Sequence, residues 1–202
     1  MDGAGFGNPI HPSYAVVLKI LPKMIAMSPL SFRIAQLADV AKITALVNSA
    51  YRGEASRAGW TTEAELLDGV RTHEEEIASL INRPRSLILI GLVGEEIIAS
   101  MHLQLVSDAA FLGVFAVRPT GQAAGVGKAM MAEAEAVVKR EWQAKKILMD
   151  VISVRAELIA FYERRGYVRT GKLNDFPVNK DLWTPKVKDL MLARMEKNLG
   201  AC

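Results

Sequence analysis

Phe115-Ala-Val-Arg-Pro-Thr-Gly-Gln-Ala-Ala-Gly-Val-Gly-Lys128 is the stretch on which the fold of this chain turns. A strand-like run ends at Val117, Pro119 interrupts it, and a Gly-rich corner follows. From Val126 the pattern is helical, with Val126, Met130, Ala134, Val137 and Val138 on one face and Glu133, Glu135, Lys139 and Arg140 largely opposite. A helix start after such a corner presents unpaired N–H groups at the positive end of a helix dipole, and Gly125 and Gly127 let an anion reach the backbone. The composition fits a pyrophosphate cradle. Two other phosphate loops fail on spacing. A P-loop needs Gly at 122 and Ser or Thr at 129, where Gln122 and Ala129 stand, and a dinucleotide fingerprint needs Gly at 130, which is Met130.

Upstream of this stretch, Leu87 to Val93, Glu96 to Val106 and Ala110 to Val117 read as three antiparallel strands, with turns at Gly94-Glu95 and Ser107-Asp108. Leu30 to Ala35 reads as a first strand. Asp39 is placed to cap a helix carrying Val40, Ile43, Leu46 and Val47 that ends near Tyr51. Thr62 and Glu65 have capping-box spacing, which predicts a helix or helical turn through Leu66 and Leu67, and Glu74 to Ile81 predicts another helix before Pro84. Downstream, Lys146 to Ile152 reads as a buried strand, Glu157 to Arg165 as a helix stopped by Gly166, and Tyr167 to Thr170 and Asp189 to Arg194 as the last strands. This order predicts a mixed α/β domain over residues 29–202, preceded by a Gly/Pro-rich irregular arm over 1–28.

The gross numbers narrow the function classes. Half of the 202 residues are hydrophobic, enough for one sizeable core. The 25 basic and 22 acidic residues nearly balance, without the basic block of a nucleic-acid binder. Cys202 is the only cysteine, and His11, His73 and His102 lack zinc-ligand spacing, so neither disulfide nor metal is expected and a reducing, cytoplasmic setting fits. The apolar run Tyr14 to Met27 is too short and too interrupted by Lys19, Pro22 and Lys23 to be a membrane anchor. Trp60, Trp142 and Trp183 read as packing residues, with Trp60 the best placed to line a pocket.

Gln122-Ala-Ala-Gly125-Val-Gly127, after a strand ending in Val-x-Pro, resembles the Gln/Arg-x-x-Gly-x-Gly/Ala motif of the GCN5-related N-acetyltransferases. Phe161-Tyr-Glu-Arg-Arg-Gly-Tyr167 is similar to that family's helix ending in Phe/Leu-Tyr-x-x-x-Gly-Phe/Tyr. The resemblance covers Leu30 to Leu199 and implies a mixed, mostly antiparallel sheet flanked by helices, with acetyl-coenzyme A held where two strands splay. It implies that backbone groups of Phe115 and Val117 pair with the pantetheine arm. The N–H groups of Ala123, Ala124, Gly125, Val126, Gly127 and Lys128 would then take the pyrophosphate, with Gln122 at its edge. Tyr162 would be the general acid for the leaving thiolate. Many relatives carry Asn seven residues before this tyrosine; here Arg155 stands there and is expected to reach a phosphate.

The acceptor pocket is expected from two segments, Tyr51-Arg-Gly-Glu54 and Ala58-Gly-Trp-Thr-Thr-Glu63, with Tyr51, Glu54 and Trp60 in contact with the substrate. The general base stays open among Glu54, Glu74, Asp150 and Glu157. The expected reaction is acetyl transfer to a primary amine of a small molecule; a peptide or protein amine, or a non-catalytic acyl-coenzyme A sensor, are the alternatives. A homodimer through the last strands is compatible with this fold.

Overall fold

Three apolar runs joined by two-residue turns build the middle of the sheet: β3 (Ser86–Val93), β4 (Glu96–Val106) and β5 (Ala109–Val117). At the turns Gly94 and Ser107 take φ of 62° and 58°, the left-handed backbone that tight hairpins require. The computed structural model describes residues 29–177 and 179–200, so the arm expected over 1–28 and Cys202 lie outside the described residues. The remaining elements in chain order are β1 (Leu30–Ile34), α1 (Val40–Tyr51), the single turn α2 (Gly53–Ser56), β2 (Leu67–Gly69), α3 (Glu74–Asn82), α4 (Val126–Trp142), β6 (Lys146–Ile152), α5 (Ala156–Glu163), β7 (Val168–Asp175), β8 (Trp183–Pro185) and β9 (Met191–Asn198).

Seven strands form one sheet in the order β1-β3-β4-β5-β6-β9-β7, and β5·β6 is its parallel pairing, the other neighbours being antiparallel. Strand alternation sends side chains to both faces. Ile88 and Ile90 meet Ile43 and Val47 of α1 and Ile77 of α3 on one side. Leu87 and Leu89 share the other core with Met130, Ala134 and Val138 of α4 and Ile159 of α5. Each such buried aliphatic side chain contributes roughly 1.5–3 kcal/mol. With both faces covered, β3 reads as a continuous apolar run rather than an alternating one.

A bulge shapes the site. His102 pairs with Gly113 and Ser100 with Ala116, so Met101 of β4 faces two residues, Val114 and Phe115. Val114 sits at φ 45°, an unfavourable value for a β-branched residue. β5 stays paired with β6 only from Ala109↔Lys146 to Leu112↔Met149; past the bulge the two strands part.

Several local expectations are corrected. The Asp39 carboxylate does not cap α1; it accepts the Gln36 N–H (2.8 Å) and two bonds from Arg33 (2.7 and 2.9 Å). Thr62 opens the shorter of the two expected forms, a single turn over Glu63 to Leu66: Thr62 Oγ1 accepts the Ala64 N–H (3.2 Å) and the Leu67 N–H closes on Glu63 O (3.0 Å), while Glu65 pairs with Arg57 (2.5 Å) instead of reaching back. Two further strands, of three residues each, are too short to show a period in the sequence. β2 and β8 pair as a separate antiparallel ribbon, and a side chain at Gly69, φ 95°, would meet Leu182 O at 2.1 Å.

His102 is buried and its Nε2 lies 2.9 Å from Ser86 Oγ. Burial first, and the Arg83 charge second, lower it from 6.5 to about 4. The unfolded chain therefore takes up this proton before the folded one does, so stability is full above about pH 6.5 and declines until about pH 4. The expected loss over that window is about 3 kcal/mol. Urea unfolding from pH 7 to pH 4 should show it, and His102→Gln should flatten that part of the profile.

Candidate active site

The opening between β5 and β6 is filled from α1, α5 and the loop Arg57–Leu66. A cavity of about 290 Å³ lies there, lined by Tyr51, Glu63, Arg71, Asp150, Tyr162 and Trp183 among others. A second, narrow cleft of about 30 Å³ runs along β5 toward the Gly-rich corner, lined by Trp60, Thr61, Val117, Gln122, Gly127 and Phe161. Both are also lined by Tyr51, Phe115, Leu158 and Tyr162, so these four residues mark the junction.

Tyr162 is carried by α5, which ends where Gly166 turns left-handed at φ 82° and the Tyr167 N–H bonds Tyr162 O (3.2 Å). Its ring stands 5.3 Å from Phe161 and 6.0 Å from Tyr167. Among the described residues its hydroxyl has no hydrogen-bond partner. Burial first, then neighbouring Tyr51, pushes its ionisation well above the ordinary 10, against the opposing pull of Arg155 and Arg165. Tyr51 is pushed up to about 12, mainly by burial, and its hydroxyl donates to Phe115 O.

At the corner, Gly125 takes φ 80° with nothing within 4 Å of where a side chain would begin. The first helical bond of α4 is Ala129 N–H to Gly125 O (3.1 Å), which leaves the N–H groups ahead of it outside the helical ladder. No acidic residue lies in the first turn of α4, and Lys128 is exposed there. An anion fits this corner on charge, backbone donors and space. Gly127 does a second job: a side chain there would approach Phe161 at 3.3 Å, so its absence lets α4 and α5 pack closely.

A model of the acetyltransferase (GNAT) family matches residues 44–167, more than half of the chain. The chain belongs to this family. The protein is therefore an acyltransferase of the N-acetyltransferase class. No curated protein matches in sequence. Solved structures share the fold at low identity. The ribosomal-protein-S18-alanine N-acetyltransferase of Escherichia coli aligns with TM-score 0.65 and 16% identity, over 86% of this chain and 96% of that one. An N-acetyltransferase of Staphylococcus aureus gives 0.63 and 10% over 85% and 98%. A spermidine/spermine N-acetyltransferase of Vibrio cholerae gives 0.60 and 16% over 85% and 94%.

In this GNAT chain several side chains sit away from where their sequence suggested. Gln122 does not face outward at the corner. Its Oε1 accepts the N–H groups of Trp60 (2.9 Å) and Thr61 (3.3 Å), while its Nε2 donates to Thr61 Oγ1 (2.7 Å) and Val117 O (3.0 Å). Arg155 points to the same loop, donating to Thr61 O (3.2 Å), Trp60 O (3.1 Å) and Glu157 (2.9 Å), with its side chain buried. Residues 58–62 thus form a strap across the end of β5, with Trp60 laid 5.5 Å from Phe161.

Glu54 is outside the cavity: the turn α2 directs it to solvent, 90% exposed, beside Arg57. Glu74 opens α3 on the surface, and Glu157 is taken by Arg155. Of the four base candidates only Asp150 lines the cavity, where Arg194 Nε and Nη2 donate to it at 2.5 and 2.9 Å. Glu63, the last residue of the second segment expected to form the acceptor pocket, is buried there, with Arg52 Nη1 at 2.5 Å. Trp183, read as a packing residue, also lines the cavity. Among the described residues no cluster of three His, Cys, Asp or Glu could hold a metal, and no helix is long and apolar enough to cross a membrane.

Gln122→Ala deletes three bonds to the strap and the one to Val117 O that ties them to β5, leaving the two from Arg155. The expected cost is about 1–3 kcal/mol of stability, with amide exchange at Trp60 and Thr61 accelerated and that of β3 unchanged. Hydrogen exchange by NMR or mass spectrometry reads both.

Proposed function

We propose that this protein moves an acetyl group from acetyl-coenzyme A to a primary amine of a small molecule, with Tyr162 as general acid. One observation carries the reading: a roomy cavity with charged groups in a largely apolar wall and a narrow cleft leading to an anion-ready helix start meet at a neutral, buried tyrosine. The ribbon residue Trp183 stands in the cavity wall, which favours a small acceptor over an extended peptide.

The corner residues Gly125 to Lys128 would hold the pyrophosphate through backbone N–H groups and the helix dipole. Bound acetyl-coenzyme A supplies an activated thioester whose carbonyl an amine can attack. The carbonyls of Phe115 and Val117, suited to pairing with the pantetheine arm, are engaged here by the Tyr51 hydroxyl and the Gln122 amide. Two side chains therefore occupy the acceptors that a ligand amide would use, and the strap must lift for the cleft to admit the arm. Such exchange is cheap, since one set of hydrogen bonds replaces another.

Tyr162 stays protonated at neutral pH because burial disfavours its anion, so it donates a proton to the departing sulfur and cannot serve as base. Of the cavity carboxylates, Asp150 is held by two bonds from one arginine, whereas Glu63 receives a single side-chain bond. We assign to Glu63 the uptake of the amine proton, directly or through water. Holding both reactants in line at the junction supplies much of the remaining acceleration.

Acetyl-coenzyme A should bind the wild type by calorimetry and fail to bind Gly125→Glu, which puts a carboxylate into the cradle. Open space around Gly125 limits the folding cost to the backbone strain, about 1–2 kcal/mol, and a melting curve will show it. Binding by the variant, or none by the wild type, would overturn the assignment of the cradle.

Tyr162→Phe should lower kcat by roughly 10²–10⁴-fold with the KM for acetyl-coenzyme A nearly unchanged. Wild-type kcat should show no descending limb near pH 10, since this phenol does not ionise there. Thiol release across pH 6 to 10.5 tests both.

A further inference from the structure

The charges around the larger cavity are unequal. Glu63 is bonded to Arg52, Asp150 is held by Arg194 and reached by Asn174 Nδ2 at 3.3 Å, and Arg155 is paired with Glu157. Arg71 is the exception. Among the described residues no carboxylate lies within ion-pair distance of its guanidinium, and its side chain makes no hydrogen bond. It stands 5.9 Å from the ring centroids of both Tyr51 and Trp183, in the wall of the cavity that Tyr162 also lines.

This arginine is held in place by its backbone. Asn48 Oδ1 accepts the N–H groups of Arg71 (2.7 Å) and Thr72 (3.1 Å), and Asn48 Nδ2 donates to Thr72 O (3.0 Å). Val70 N–H bonds Leu182 O (2.8 Å), which brings the ribbon, and with it Trp183, against the guanidinium. The device is a fixed cation between two aromatic faces, partly withdrawn from water and lacking a counter-ion. An anion entering the cavity would receive charge-assisted, planar hydrogen bonds from it. Much of the remaining wall is apolar, with Phe111, Met149, Phe176 and Leu192.

We propose that the acceptor is a small amino acid: its carboxylate on Arg71, its apolar body against Phe111 and Phe176, and its amine toward Tyr162. This deepens the acetyltransferase reading and rests on it. A polyamine would find no free carboxylate, since both acidic residues of the cavity already carry an arginine. A peptide N-terminus has no carboxylate beside its amine to offer Arg71. Arg71 is thus a specificity-determining residue.

The test compares matched pairs that differ only in the carboxylate: L-leucine with 3-methylbutylamine and L-phenylalanine with 2-phenylethylamine, with spermidine as the cationic control. Coenzyme A release is measured for the wild type, Arg71→Met and Arg71→Lys. The wild type should prefer each amino acid over its amine at least tenfold in kcat/KM. Arg71→Met should lose that preference, by roughly 10–100-fold as expected for a charged hydrogen bond, with acetyl-coenzyme A affinity unchanged, and Arg71→Lys should retain part of it.

Equal or better turnover of the decarboxylated amines or spermidine by the wild type, or an unchanged preference in Arg71→Met, overturns the proposal and leaves acetyl transfer standing. A parallel calorimetric comparison of N-acetyl-L-leucine with N-acetyl-3-methylbutylamine does not depend on turnover. Carboxylate-selective binding that vanishes in Arg71→Met supports the anion site even if no thiol is released, an outcome that would instead overturn the acetyl-transfer reading. Unselective binding sinks the anion site.

Discussion

The parting of β5 from β6 is the constraint on which the rest of this molecule depends. Two parallel neighbours in the middle of a sheet would ordinarily stay hydrogen-bonded along their length. Here pairing stops at Leu112↔Met149 because the next residues of β5 are committed to a bulge, with Val114 and Phe115 both facing Met101. The bulge stores strain at Val114, and the covered faces of the sheet hold it there. Freed from β6, the end of β5 has carbonyls to offer, leads into the glycine corner, and leaves a gap over which α5 places Tyr162. Cavity, cleft and helix start follow from this one irregularity.

The strap over that gap is held by polar contacts more than by apolar burial. Gln122 and Arg155 bond the loop mostly through backbone groups at Trp60 and Thr61, and Trp60 itself remains 39% exposed. Hydrogen bonds of this kind are individually worth about 1 kcal/mol net, whereas the cores on either side of the sheet are built from many fully buried aliphatic side chains. Segments with such a balance open locally without unfolding the domain. That is a suitable property for a cover lying above a substrate channel.

The electrostatics of the site separate two kinds of work. Burial keeps Tyr51 and Tyr162 in their neutral, proton-bearing form. Paired arginines neutralise the two cavity carboxylates without removing them, so the interior can hold polar chemistry at little cost. Against that balanced background Arg71 is, among the described residues, the cavity guanidinium without a carboxylate partner, and the acceptor proposed above rests on that difference.

Much of the architecture was legible in the chain itself. The β3–β5 meander, α1, α3, α4 and β6 follow from hydrophobic periodicity and from turn residues whose preferences are local, and the corner at Gly125 and the stop at Gly166 follow from the left-handed backbone that glycine tolerates. Tyr162, which lines both cavity and cleft, stood out because it lies in a short motif adjoining that stop. What only the tertiary structure decided involves partners distant in sequence. The β2·β8 ribbon joins strands of three residues each, too short to show a period. The Asp39 carboxylate, with Arg33 and Gln36 for partners, had no reason to cap its helix. Arg155 turned to the strap rather than the corner, Glu54 faced solvent, and Glu63, Arg71 and Trp183 gathered around one cavity. Periodicity reports which face of an element is buried, but it carries no information about which neighbour will cover it, and a site assembled from segments far apart in the chain is made of such neighbours.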